Sequence, residues 1–250
     1  MRRRGLWTGL VLLLVLNLSI VGAASELTGA AIMERVDANM HFESSHSTME
    51  MVIQSGRREM VKEMIIWSEG EDSLVEFTNP GDRGTKYLKL DDELWMFFPD
   101  AEDLVRISGH MLRQGFMGSD MSYEDMMVSD KLTELYSFEL VGEETLGDRQ
   151  TYVVEAKAQE GAEVSYAQRR VWVDTDSFVP WREELYAVGG RLLKVMEILE
   201  TAEIDGRTYP IEMAVEDKLK QDSRTYVRVK DIEFDVDIPD DLLSLDSLTF

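Results

Sequence analysis

A mainly β (α+β) fold, built on one curled antiparallel sheet of roughly eleven strands, follows from three observations. Apolar residues recur with a period of two along most of the chain, turn signals separate those runs, and helical spacing is confined to one early segment.

Residues 1–24 read as a secretory signal: Arg2, Arg3 and Arg4 give a basic start, Leu10 to Leu18 an apolar run, and Val21 to Ala24 a small-residue cleavage site. The rival reading is an uncleaved anchor, because the apolar stretch is only slightly short of the ~18 residues of a spanning helix. The small residues favour removal. About 226 residues then remain, a length one β-rich domain can occupy, so residues 25–250 are read as a single domain.

Thr28 to Met40 is the predicted helix, with Ile32, Met33, Val36 and Met40 at helical spacing. Beyond it the period is two. Met49, Met51 and Ile53 alternate with Thr48, Glu50 and Val52, and Ser73, Val75 and Phe77 with Asp72, Leu74 and Glu76. Ile211, Met213 and Val215, then Val227 and Val229, repeat the pattern, as expected of strands with one wet face. Turns are signalled at Asn79–Asp82, Asp91–Asp92, Gly147–Asp148, Asp174–Asp176, Gly189–Gly190, Asp205–Gly206 and Gln221–Asp222. The meander is interrupted once, from Gly109 to about Leu135. A sheet of that many strands curls under its own twist and needs a cover on its apolar face. Two short helices plug such a sheet without filling it, which leaves room for a cavity.

With 26 basic and 49 acidic residues the formal net charge is −23, and −26 once the leader arginines are gone. Such a surface repels phosphate backbones, so no nucleic-acid partner is expected. It also disfavours lasting adsorption to anionic lipid while allowing brief contact. A solubility role is the plainer explanation of the charge. The absence of cysteine excludes disulfides, thiolate chemistry and a lipobox anchor.

Chemistry is sparsely provided for. His41, His46 and His110 lack metal-ligand spacing, and neither a nucleophile elbow nor a phosphate-cradling glycine loop occurs. Acidic pairs such as Asp174 with Asp176 and Asp235 with Asp237 read as solvated loops. The expectation is no enzyme, no metal and no cofactor.

The informative block runs from Asp91 to Met127. Leu94 to Phe98 is apolar on both faces and stops at Pro99, and a methionine-rich stretch punctuated by Gly109, Gly115 and Gly118 follows. Methionine adapts to partners of varied shape. The reading is a wall and a movable lid, against the plainer alternative of a cover packed on its own core. Met49, Met51, Ile53, Val75, Phe77, Trp95 and Phe97 are the candidate cavity lining, with Met111, Leu112, Phe116 and Met117 on the lid. The 94–98 strand can present either parity, since Leu94, Met96 and Phe98 are equally apolar.

This block resembles the outer-membrane lipoprotein-sorting family, the LolA/LolB-like periplasmic carriers. The resemblance is carried by 79–88 (NPGDRGTKYL), 94–99 (LWMFFP), 106–112 (RISGHML) and 116–125 (FMGSDMSYED), with a family-like end at 238–245 (IPDDLLSL). It implies a half-open barrel, covered by the N-terminal helix and a helical lid segment. Its client would be an acylated lipoprotein or lipid, carried across the periplasm by a soluble, unanchored monomer that meets inner- and outer-membrane transport components transiently. Two other roles for the same cavity stay open, a lipid- or lipoprotein-sensing module and an accessory subunit of a lipid exporter.

Overall fold

In the computed structural model, which describes residues 27–127, 132–162 and 164–248, Thr28 caps the first helix by accepting a hydrogen bond from the Ala31 N–H at 3.1 Å. That helix, α1 (Gly29–Met40), buries Ile32, Met33 and Val36, three of the four residues whose spacing predicts it. The signal segment read at residues 1–24 lies outside the described residues. Among those described, no helix is long and apolar enough to cross a membrane.

Six strands follow: β1 (Ser44–Ser55), β2 (Arg58–Glu69), β3 (Asp72–Phe77), β4 (Lys86–Leu90), β5 (Glu93–Phe98) and β6 (Asp103–Ile107). A long connection then leads through α2 (Leu132–Leu135) to seven more: β7 (Tyr136–Leu146), β8 (Arg149–Ala158), β9 (Gln168–Asp174), β10 (Pro180–Tyr186), β11 (Leu192–Ile204), β12 (Arg207–Asp217) and β13 (Ser223–Phe234). All join one antiparallel sheet in the order β6-β5-β4-β3-β2-β1-β13-β12-β11-β10-β9-β8-β7. There are thirteen strands rather than roughly eleven. The edge strands β6 and β7 are mostly exposed along their length, which is where periodicity is weakest as a signal.

The strand order explains the interruption. The chain enters at the middle of the sheet, meanders out to the β6 edge, and must cross to the β7 edge before it can meander back beside β1. Residues 108–127 make that crossing over the face that α1 also covers, here called the inner face. The edges do not pair, so the sheet stays open. The expected helical lid is instead three 3-10 turns, Gly109–Arg113, Phe116–Gly118 and Glu124–Met126, followed by the single turn of α2. Glycine punctuation prevents a longer helix. Gly118 has φ +82°, and a Cβ on Gly115 would stand 2.7 Å from the Ser119 carbonyl oxygen.

Three apolar clusters hold the sheet. On the inner face of β1–β6, Met51, Ile53, Met64, Val75, Phe77, Tyr87, Leu94, Met96 and Ile107 pack with Phe116 of the crossing segment. On the inner face of β8 and β9, α1 packs Ile32, Met33 and Val36 against Val154, Val171 and Val173. The outer face of β3–β5 is buried too: Leu74 and Leu88 meet Leu248, with Trp67, Trp95, Phe97, Leu242 and Leu243 around them. The alternation of β3 therefore does not mark a wet face at Leu74, because residues 242–248 return to cover it.

The rest of the outer face is charged. Arg228 pairs with Glu212 at 2.9 Å and Glu50 at 3.3 Å, while Glu197 takes Arg182 at 2.5 Å and Arg224 at 3.0 Å. Three of these pairs set opposite charges on neighbouring strands, and Glu197–Arg224 reaches from β11 past β12 to β13.

Candidate functional site

Between the inner-face core under the crossing segment and the one under α1, the sheet is left uncovered. A groove of about 420 Å³ lies there. Its floor is Met49 of β1, Met196 and Ile198 of β11, Ile211 and Met213 of β12, and Val227 and Val229 of β13; Val36 and Met40 of α1 wall one side and Met121 of the crossing segment the other. The register makes this one surface, since Ile198 faces Met213, Met213 faces Val227, and Val229 faces Met49. All seven floor residues are half-buried: they point into the structure yet are not packed over. The volume falls in the ~300–1,000 Å³ range of ligand sites. From β9 to β1 the groove spans five strand spacings of ~4.8 Å, about 24 Å along the sheet. A single acyl chain occupies half of a ~30 Å hydrocarbon core, about 15 Å, and fits within that span.

The candidate residues divide unevenly. Met49 lines the groove. Met51, Ile53, Val75 and Phe77 do face inward, but each is at most 3% exposed, in the filled core beneath the crossing segment. Trp95 and Phe97 require a correction. They lie on the outer face with Leu74, Leu88 and Leu248, while Leu94 and Met96 take the inward positions. The Leu88–Trp95 and Tyr87–Met96 register of β4 with β5 fixes this parity. The sequence reading missed the floor contributed by β11–β13, although the alternation of Ile211, Met213, Val227 and Val229 was its signal.

Met111, Leu112, Phe116 and Met117 all sit on the crossing segment and pack against the β1–β6 core. Phe116 is its main anchor, 3% exposed, with its ring centroid 5.1 Å from Tyr87 and 5.8 Å from both Phe77 and Tyr123. Met117 has φ +51°, an unusual backbone for a long side chain, and its sulfur accepts from the Tyr87 hydroxyl at 3.1 Å.

Polar contacts fasten the far side of the segment to the second half of the sheet. Asp120, 1% exposed, accepts from Thr225 Oγ1 at 2.8 Å and Ser223 Oγ at 3.0 Å, and Lys220 Nζ stands 3.6 Å from its other oxygen. Lys220 also donates to the Ser119 carbonyl at 2.5 Å. Asp125 is ion-paired with Lys194 and accepts from Tyr166 Oη at 2.5 Å. Burial and the adjacent Asp125 charge raise the Tyr166 phenol well above its ordinary range, so it stays a neutral donor.

One end of the groove is polar. Arg169 Nη1 and Glu183 Oε1 are 2.8 Å apart, with side chains 7% and 16% exposed, and the guanidinium lies 4.7 Å over the Tyr136 ring. Burial works against the Arg169 charge, but Glu183 beside it more than offsets this and raises the pKa. The whole lining thus offers an oily trough with a self-neutralised polar end, which suits binding rather than bond-breaking.

A protein-family model described as "-like: Uncharacterized protein" matches residues 69–249. The solved structure of a DUF1329 family protein from Desulfovibrio piger superimposes with TM-score 0.82 at 28% identity, covering 88% of this chain and 97% of that one. A LolA superfamily protein from Nitrosomonas europaea gives TM-score 0.75 at 25% identity, covering 89% of this chain and 100% of that one. The chain belongs to the family of this model, and its solved neighbours include LolA superfamily proteins. An outer membrane lipoprotein-sorting protein domain from Vibrio parahaemolyticus, 22% identical, shares the fold with TM-score 0.78 over 89% of this chain and 98% of that one. No curated protein sequence matches the chain. The family-model match covers the crossing segment, β7–β13 and residues 242–248, since all fall within 69–249.

Proposed function

We propose that this protein is a periplasmic carrier that shields the acyl chains of a lipoprotein or lipid in its inner-face groove and delivers them towards the outer membrane. The observation that carries the reading is the half-buried floor of Met49, Met196, Ile198, Ile211, Met213, Val227 and Val229, an apolar surface that the protein's own cover leaves unfilled. Withdrawing an acyl chain onto it stabilises by ~0.8 kcal/mol per CH₂, on the order of 10 kcal/mol for a long chain before ordering costs. Capture needs no bond chemistry, so the carrier is not an enzyme. The crossing segment walls the groove through Met121, and its polar anchors at Asp120 and Asp125 hold that wall in place. Residues 1–24 act as a cleaved export signal, and the carrier works as an unanchored monomer between transient membrane partners.

Native mass spectrometry with lipid extraction, on protein purified from the periplasm, tests this. A bound acyl species at one per chain is expected. Protein that is consistently empty, and that takes up no acyl probe in vitro, refutes the carrier.

A further inference from the structure

We infer that the groove methionines form a reversible oxidation site, and that conversion of Met49, Met196 and Met213 to sulfoxides turns the floor polar and ends acyl binding. The consequence for binding rests on the carrier reading; the site itself rests on where the thioethers lie. Met40, Met49, Met121, Met196 and Met213 all line this one open groove, and all five are half-buried, within reach of a small oxidant. The other methionines among the described residues are placed differently. Met33, Met51, Met64 and Met96 are at most 6% exposed, inside the cores. Met111, Met117, Met126 and Met127 pack against the β1–β6 core, where the Met117 sulfur is taken by the Tyr87 hydroxyl. Met60 is 41% exposed but lies on β2, outside the groove. The chain has no cysteine, so its reversible oxidation chemistry falls to these thioethers.

The co-reactant is a peroxide. The sulfur attacks one peroxide oxygen, an S–O bond forms as the O–O bond breaks, and two electrons pass from sulfur to oxygen. The departing hydroxide takes the proton from the transferred oxygen and leaves as water, with the sulfoxide behind. Met213 lies between Ile198 and Val227 across the strands, and Met49 beside Val229, side chains with no hydrogen to donate. A sulfoxide oxygen there is satisfied by water in the empty groove, and an arriving acyl chain strips that water away. The floor is not packed over, so the change leaves the cores intact while chain affinity falls. A bound chain covers the same sulfurs, so a loaded carrier resists an oxidant that disables an empty one.

The test treats the purified mature protein with hydrogen peroxide, follows each methionine by peptide mass spectrometry, and titrates a fluorescent acyl ester. Met60 and the groove methionines should gain oxygen at least about tenfold faster than Met33, Met51, Met64 and Met96, since susceptibility follows exposure. Affinity should fall at least about tenfold, a loss of ~1.4 kcal/mol, with the thermal midpoint little changed. Incubation with the two epimer-specific methionine sulfoxide reductases should restore it. Saturation with the ester beforehand should slow oxidation in the groove and leave Met60 as reactive as before. Met60→Leu should bind and lose binding like the unmodified protein. The triple variant Met49→Leu, Met196→Leu, Met213→Leu, compared only with itself before and after peroxide, should keep its affinity within roughly threefold. Groove methionines oxidised no faster than the core ones, full affinity after they are oxidised, affinity that reduction does not restore, or a folded triple variant as sensitive as the unmodified protein overturns the inference. If the untreated protein binds no acyl ester, the carrier reading falls instead, and the peptide map still decides whether the site exists.

Discussion

Replacing Phe116 with alanine separates the two roles available to the crossing segment, a loose flap or a part of the core. The ring is 3% exposed and packs within 6 Å, centroid to centroid, of Phe77, Tyr87 and Tyr123. Truncating a buried phenylalanine costs about 3–5 kcal/mol, from lost transfer energy and the cavity left behind. For a domain of this length each kcal/mol lowers Tm by about 2–4 °C, so Phe116→Ala should melt roughly 6–20 °C below the unmodified protein. The loss should be visible locally as well. Amide exchange at 109–127 should accelerate more than in β8 and β9, which α1 holds independently. Scanning calorimetry gives the first quantity and hydrogen exchange with mass spectrometry the second. A Tm within about 2 °C of the unmodified protein would show that the segment does not rest on this core, and the division of the inner face into a filled half and an open groove would fall with it.

Two other predictions probe what frames the groove. Gly29→Ala should destabilise by about 1–3 kcal/mol despite alanine's better helix propensity, because the new Cβ would sit 2.8 Å from the backbone of Glu139 and Leu140 and push α1 off β7; urea denaturation measures this. Asp174 accepts from the N–H groups of Asp176 and Ser177, from Ser177 Oγ and from Trp181 Nε1, and although partial burial works against ionisation these bonds hold its pKa below the ordinary value of 3.8. Its contribution is therefore full above that value and is lost as pH falls through the lower folded-state pKa. Asp174→Asn should cost roughly 1–2 kcal/mol at pH 7, and the gap from the unmodified protein should close on acidification towards pH 2, as followed by urea midpoints at both pH values.

Much of the fold was legible because local and global signals agree where one face is buried. Thr28 and the spacing of Ile32, Met33 and Val36 predict α1 to within a residue, and the alternation in β1, β12 and β13 matches strands with a charged outer face. The failures fall where both faces are buried. Leu94 to Phe98 is apolar at every position, so nothing local chooses a parity; the choice is made by residues 242–248, which cover the outer face about 150 positions later and claim Trp95 and Phe97. The groove was misplaced for a related reason. Met51 and Val75 look no different in sequence from Met213 and Val227, and only the crossing from the β6 edge to the β7 edge determines which of them is packed over. The Arg169–Glu183 pair was invisible, because a strand register rather than a motif brings those side chains together.

The central claim is that the open trough on β11–β13 and β1 holds the acyl chain. Met213→Trp puts a large ring into its floor, where space already exists, so the fold should persist with little change in Tm. Measured by titration with a fluorescent acyl ester, affinity should fall at least about tenfold relative to the unmodified protein, a loss of ~1.4 kcal/mol or more. Undiminished binding in a folded Met213→Trp would place the chain elsewhere and contradict the account.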